Sequence, residues 1–235
     1  TTVNNNDIEY SSGGASTIDV RGGNLTVNGQ IRRNPSNAGG ILNYSQSGGT
    51  VTINGQAALA ANAKLEVLNN GSSFTMSNGT LNFIKGGGTT FGDLYLRPQT
   101  GNVTGGSIVF TPGTNGAQTY QVDANTALNH FTVSSTAGNV GTVKLMVSPL
   151  TLNGDLTIST NSIFNTNSIN TTFNGNFINN VGTAGYIAGT NLTTFSASNS
   201  TVYLGAQSIT GSTNFYNLQA DPDASVTVNS ACNVL

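Results

Sequence analysis

Charge is scarce in this chain. Only 16 of its 235 residues are Asp, Glu, Lys or Arg, or 7%, where an ordinary soluble domain carries about a quarter. Seven basic residues and nine acidic ones leave a formal net charge of −2. That argues against a nucleic-acid partner, because phosphate contacts need clustered Lys and Arg. Arg21, Arg32 and Arg33 form the only local basic cluster and are expected as solvated surface residues. Long apolar runs are missing as well. No stretch approaches the ~18–20 residues of a spanning helix, so no membrane span is expected. Cys232 is the single cysteine, which excludes a disulfide within the chain and leaves no metal-ligand spacing. His130 is the single histidine. A Ser-His-Asp or Cys-His site would have to use it, yet Cys232 lies far away in sequence and no Gly-x-Ser-x-Gly elbow is present. His130 is expected at a corner or an outward position, without a carboxylate or thiol partner. We therefore expect no catalytic residue, no metal and no cofactor.

Amides and hydroxyls fill the place of charges: the chain holds 34 Asn and 33 Thr, with 30 Gly. Such a composition can signal disorder, but disordered chains combine low hydrophobicity with high net charge. Here 36% of residues are hydrophobic, and they recur in alternation with polar ones. A folded chain with an uncharged polar surface is expected.

One phrase returns along the first half. It reads Gly22-Gly23-Asn24-Leu25-Thr26-Val27, then Gly48-Gly49-Thr50-Val51-Thr52-Ile53, then Asn78-Gly79-Thr80-Leu81-Asn82-Phe83, then Gly105-Gly106-Ser107-Ile108-Val109-Phe110. The second Gly of each copy is spaced by 26, 30 and 27 residues, and the apolar pair always follows it by two and four positions. Self-similarity at this period marks a solenoid, propeller or array. Further period-2 cores include Ile18–Val20, Leu65–Val67, Phe74–Met76, Leu94–Leu96, Phe131–Val133, Val143–Val147, Leu150–Leu152, Leu156–Ile158, Val202–Leu204 and Val226–Val228, each bounded by turn residues. Only residues 56–65 look helical in composition, and they lack a 3.6-residue stripe, so a loop or a single turn is expected there.

A sandwich or barrel also gives many short strands, but not one phrase in fixed phase. The sequence therefore predicts an all-β fold, a parallel β-helix (β-solenoid) of roughly nine or ten rungs. Rungs stacked at the ~4.8 Å strand spacing would make a rod on the order of 45 Å long. Beyond residue 113 the phrase changes: Leu150-Thr151-Leu152-Asn153-Gly154 and Thr172-Phe173-Asn174-Gly175 lie 21 apart, so rung length varies. Gly and Asn supply positive φ at corners, and stacked Asn can form amide ladders. Residues 1–235 are read as one domain. Leu235 falls in mid-pattern and neither end carries a charged or helical cap. Neighbouring rungs or domains of the same parent chain are therefore expected as partners, with end-to-end association through the uncapped edges.

The C-terminal stretch carries a family likeness. Gly205-Ala206-Gln207-Ser208-Ile209-Thr210-Gly211, with Phe215 and Leu218, precedes Ser225-Val226-Thr227-Val228-Asn229. A weaker copy runs from Gly116-Ala117-Gln118 through Leu128-Asn129-His130-Phe131-Thr132-Val133 into Leu150–Ile158. These units resemble those of large exported, repeat-rich surface proteins of the Bacteroidetes type. The likeness is close only over about residues 100–235. It implies an adhesin-like or filament-type protein outside the bacterial cell, exported by the type IX route, and no catalytic residues.

Four functional readings follow, one of them a bare spacer or secretion passenger with no ligand. The first is a structural or adhesive module that holds or attaches to a polysaccharide or solid surface, with multivalency strengthening weak contacts. Its ligand-binding candidates are Tyr95 and Tyr203, which alternate out of phase with their apolar neighbours and so should face outward. The other tyrosines, Tyr10, Tyr44, Tyr120, Tyr186 and Tyr216, are further rings able to stack on sugars. The second reading is a polysaccharide lyase or hydrolase on a β-helix, which needs acids from neighbouring rungs on one face. Asp93 with Arg97 and Asp123 with Lys144 are the combinations the sequence offers. The third, an ice-binding solenoid, needs Thr-x-Thr on nearly every rung, and Asn82, Glu66, Tyr95 and Lys144 interrupt that pattern.

Overall fold

The computed structural model describes residues 2–3 (backbone only), 7–55, 63–88, 92–136, 138–197 and 206–235. These form 26 strands and no helix. Every strand-to-strand pairing is parallel, and the pairings join non-consecutive strands. That topology is a β-solenoid. One sheet stacks ten strands and a second wall stacks eight, which gives about eight full turns, close to the nine or ten expected.

The recurring phrase builds the ten-stranded sheet. Its four copies are the consecutive strands Asn24–Val27, Thr50–Ile53, Thr80–Phe83 and Ser107–Phe110. The fixed phase becomes fixed register. Leu25, Val51, Leu81, Ile108, Phe131, Leu156, Phe177, Ile209 and Val228 stand one above another. Val27, Ile53, Phe83, Phe110, Val133 and Ile158 make the parallel column two residues on. A one-residue slip would turn both columns to water, so burial itself holds the register. Asn179 closes the second column. This inward amide is satisfied by donating to Gly182 O, Ser212 O and Thr213 Oγ1.

Aromatic rings fill the interior. All nine described phenylalanines are buried. Phe83 and Phe110 stack at 4.9 Å, and Phe110 meets Phe131 and Tyr120 at 5.2 Å each. Further along, Phe177 contacts Tyr186, Phe195 and Phe215. Four of the tyrosines offered as sugar platforms belong to this core: Tyr10, Tyr44, Tyr120 and Tyr186 are all buried. Each hydroxyl finds an internal partner, as buried tyrosines require. Tyr10 donates to Glu66 O, Tyr44 to Gln46 Oε1 and Tyr120 to Ile84 O, while the Tyr186 hydroxyl pairs with Thr193.

The second wall contains strands missed by a search for apolar pairs, such as Ile8–Tyr10 and Ile31–Arg33. On one edge the long strand Leu65–Met76 serves two neighbours, while its other edge pairs with Leu94–Val103. Its first part pairs with Ile31–Arg33 and its second with Ile41–Gln46. Past residue 150 a third sheet opens, stacking Leu150–Leu152, Thr171–Phe173, Leu192–Phe195 and Asn217–Ala220. That change of cross-section is what the altered phrase encodes. Amide ladders join rungs at Asn28/Asn54, Asn153/Asn174 and Asn214/Asn233. The expected core pair Val226 and Val228 lies on the outermost described rung, where no strand stacks beyond it, and Val228 is exposed.

Candidate functional site

The chain makes a corner each time it passes from the second wall into the ten-stranded sheet. The tight turns are Asn78-Gly79 and Gly105-Gly106, with Gly79 at φ 90° and Gly106 at φ 82°. Where these corners stack, an open groove of about 780 Å³ runs across successive rungs. Its lining comes from residues 77–80, 101–107, 126–127, 129–130 and 153–154.

The groove is made of amides, hydroxyls and backbone. His130 is its only titratable side chain. Its polar groups are held by the rungs around them. Asn78 Oδ1 accepts from Gly79 N–H at 2.8 Å, and Asn129 Nδ2 donates to Gly106 O at 3.1 Å. Asn153 Oδ1 accepts from Asn174 Nδ2 at 2.9 Å. Asn102 and Thr104 stand exposed along it. Such a surface offers repeated neutral donors and acceptors at the ~4.8 Å strand spacing, with no ionic anchor.

His130 is at a corner and outward, as expected, but it does have a carboxylate beside it. Parallel pairing of the strands His130–Val133 and Leu156–Ile158 brings Asp155, 25 residues away, alongside. His130 Nδ1 lies 3.6 Å from Asp155 Oδ2. Ser107 pairs with His130 from the other side, so Ser107, His130 and Asp155 stand in one row. The hydrogen bonding does not match an acyl-transfer triad. There Nδ1–H donates to the acid. Here Nδ1 accepts from Asp155 N–H at 3.0 Å, which puts the proton of the neutral ring on Nε2.

The second wall collects most of the chain's few charges. Asp7, Gln30, Lys64, Asp93, Gln121 and Lys144 precede the stacked residues Ile8, Ile31, Leu65, Leu94, Val122 and Leu145. Glu9, Arg32, Glu66, Tyr95 and Asp123 follow them. Arg32 is no solvated residue. It is buried and bridges Asp7, at 2.7 Å, and Glu9. Arg33 pairs with Glu66 at 3.2 Å, Lys64 with Asp93 at 3.7 Å and Arg97 with Asp123 at 2.7 Å. Only Arg21, of the three arginines expected in solvent, is mostly exposed. The combinations read from sequence, Asp93 with Arg97 and Asp123 with Lys144, are thus exchanged for partners one rung away. The acids do gather on one wall, but each is engaged by a cation or by backbone N–H groups. The signal was present in the sequence as polar-apolar-polar triplets: Asp7-Ile8-Glu9, Lys64-Leu65-Glu66, Asp93-Leu94-Tyr95 and Gln121-Val122-Asp123.

Tyr95 sits on this wall, half-buried, with the Arg97 guanidinium 5.6 Å from its ring centroid. Tyr203 lies outside the described residues, as does the expected strand Val202–Leu204 and most of the Ala-rich segment at 56–65. Tyr216 is exposed near the C-terminal rungs. Asp221-Pro222-Asp223 is an ordinary turn, closed by Ala224 N–H donating to Asp221 O. The outward Thr column runs through Thr26, Thr52, Thr132 and Thr157 but is broken by Asn82, Val109 and Ile178. Among the described residues no group of three His, Cys, Asp or Glu is placed to hold a metal ion, and no helix is long and apolar enough to cross a membrane.

No family model matches the chain, and neither a curated protein nor a solved structure is significantly similar to it.

Proposed function

We propose that this chain is a structural and adhesive module of a large secreted cell-surface protein, and that its corner groove attaches to neutral polysaccharide. The uncharged groove lined by Asn78, Asn102, Asn129 and Asn153 carries this reading. A hydroxyl-rich, uncharged polymer satisfies such a surface, whereas an anionic one would lack counter-charges. Adhesion also suits the architecture. A stack of short-range interfaces tolerates extension in one direction, and weak contacts repeated along a polymer gain through multivalency. The likeness of residues 100–235 to exported repeat proteins supports a place on the bacterial exterior. The internally paired acids favour attachment over bond cleavage.

The test is retention of the purified chain on neutral insoluble polysaccharides and glycan arrays, with released sugar assayed in the same wells. Asn102→Arg and Thr104→Arg fill the groove from exposed positions and should abolish retention, while Tyr95→Ala should leave it unchanged. Loss of retention in Tyr95→Ala alone would move the site to the second wall. Soluble product would replace attachment by a polysaccharide-degrading activity.

A further inference from the structure

Lys64 and Asp93 form the most deeply buried ion pair of the second wall, with side chains 4% and 0% exposed. They are neighbours by register, not by chance approach. Lys64 N–H and Leu65 N–H both donate to Asp93 O, at 2.8 and 3.0 Å. The Lys64 stem is confined beneath Gly55, where an added Cβ would lie 2.8 Å from Lys64 Cε. The carboxyl group is equally fixed. Asp93 Oδ1 accepts from Gly88 N–H at 2.9 Å, and Oδ2 accepts from Gln121 N–H at 2.8 Å. Lys64 Nζ stands 3.7 Å from Oδ1, which places the amine beside the carboxyl group that it would attack.

Burial makes both charged forms costly. Desolvation lowers the Lys64 pKa and raises that of Asp93, despite their mutual attraction. Lys85 reinforces the shift on Lys64, and Asp7 opposes it. Both shifts run toward the neutral amine and carboxylic acid that one internal proton transfer would give, while the backbone N–H donors of Gln121, Gly88 and Gly87 favour the carboxylate. Two N–H donors are already aimed at the carboxyl oxygens. Among the described residues no other lysine has a carboxylate within ion-pair distance. The remaining pairs involve arginines, which stay protonated, and His130.

We propose that Lys64 and Asp93 condense to form an intramolecular amide cross-link between adjacent rungs. The Nζ lone pair attacks Asp93 Cγ. The C–N bond forms, the C–OH bond breaks, and the hydroxyl leaves as water with a proton from the nitrogen. Gln121 N–H holds the carbonyl oxygen as negative charge develops on it. No oxidant or co-reactant enters the balance, since an amine and an acid give an amide and water. The product removes two buried charges and closes residues 64–93 into a covalent loop, which restricts the unfolded chain as a disulfide would. A protein with one cysteine would thus gain a staple that reducing conditions do not break.

Intact-mass spectrometry of the purified, folded chain decides the matter. The expected mass is lighter than the sequence by one water. A tryptic digest should contain a branched peptide joining residues 34–85 to 86–144, because modified Lys64 resists cleavage and Arg97 precedes Pro98. Lys64→Arg keeps the charge and the pairing but cannot form the amide, so it should show its full mass and a lower Tm. A full-mass wild-type protein overturns the proposal. So does a water deficit that persists in Lys64→Arg, which would place the dehydration elsewhere.

Discussion

Phe110 is the position at which the solenoid should be most sensitive to truncation. Its ring is fully buried near the middle of the stack. It lies nearly parallel to Phe83, at 4.9 Å and 14°, and touches Phe131 and Tyr120 at 5.2 Å. Phe→Ala in a close-packed core costs ~3–5 kcal/mol through lost transfer energy and residual cavity. Aromatic pairs contribute ~0.5–1.5 kcal/mol each beyond area, and three are lost here, so the upper end, about 5 kcal/mol, is expected. That is a large part of the ~5–15 kcal/mol that stabilises a typical domain. In a stack held by neighbour interfaces, Phe110→Ala weakens contacts with the rungs on both sides. Urea unfolding followed by far-UV circular dichroism should show either a large drop in midpoint or a split into two transitions, one for each half of the rod. Val109→Ala, on the opposite face of the same strand and half-exposed, should cost no more than about 1 kcal/mol. A loss below ~1 kcal/mol for Phe110→Ala, or equal losses for both variants, would refute the continuous aromatic core.

Three further outcomes follow from the same geometry. Gly79→Ala should be severely destabilising, since φ is 90° and the new Cβ would lie 2.6 Å from Gly49 O. Gly116→Ala has positive φ but open space around it and should lose only the ~1–2 kcal/mol of the left-handed backbone. Comparing the two Tm values separates conformational strain from collision. Arg32→Ala should cost less than the ~3–5 kcal/mol of a fully buried broken pair, because Glu9 is about a third exposed while Asp7 is better enclosed; the urea midpoint measures it. At alkaline pH, burial holds the phenols of Tyr10, Tyr44, Tyr120 and Tyr186 protonated far above their usual range. The native state then binds more protons than the unfolded state once pH passes about 10, so stability falls as pH rises. The slope is ~1.4 kcal/mol per pH unit for each such tyrosine. These four should ionise in one step, together with loss of the β-sheet signal. Gradual tyrosinate absorbance in a chain that keeps its dichroism would contradict the burial.

The columns of the ten-stranded sheet were legible from the chain alone. Leu25/Val27, Val51/Ile53, Leu81/Phe83 and Ile108/Phe110 follow their glycine corners at a constant offset, and a strand with one wet face must keep that phase or expose its apolar side. Sequence thereby determined the class of fold, the approximate number of turns and the inward fate of the described phenylalanines. It also showed the scarcity of charge, but not where the charges meet. Lys64 meets Asp93, Arg97 meets Asp123 and His130 meets Asp155 because rungs of unequal length are brought into register, and loop length has little local signature. Tyr10, Tyr44, Tyr120 and Tyr186 belong to the core for a related reason: a hydroxyl-bearing ring is accepted inside only where a neighbouring rung presents an acceptor, such as Glu66 O or Ile84 O. The groove, too, exists only once the corners at Gly79 and Gly106 and the segments around Asn129 and Asn153 are stacked. Alternation in the sequence determined which face each residue takes. Tertiary register decided what stands beside it, because contacts between rungs join residues 20 to 30 or more positions apart.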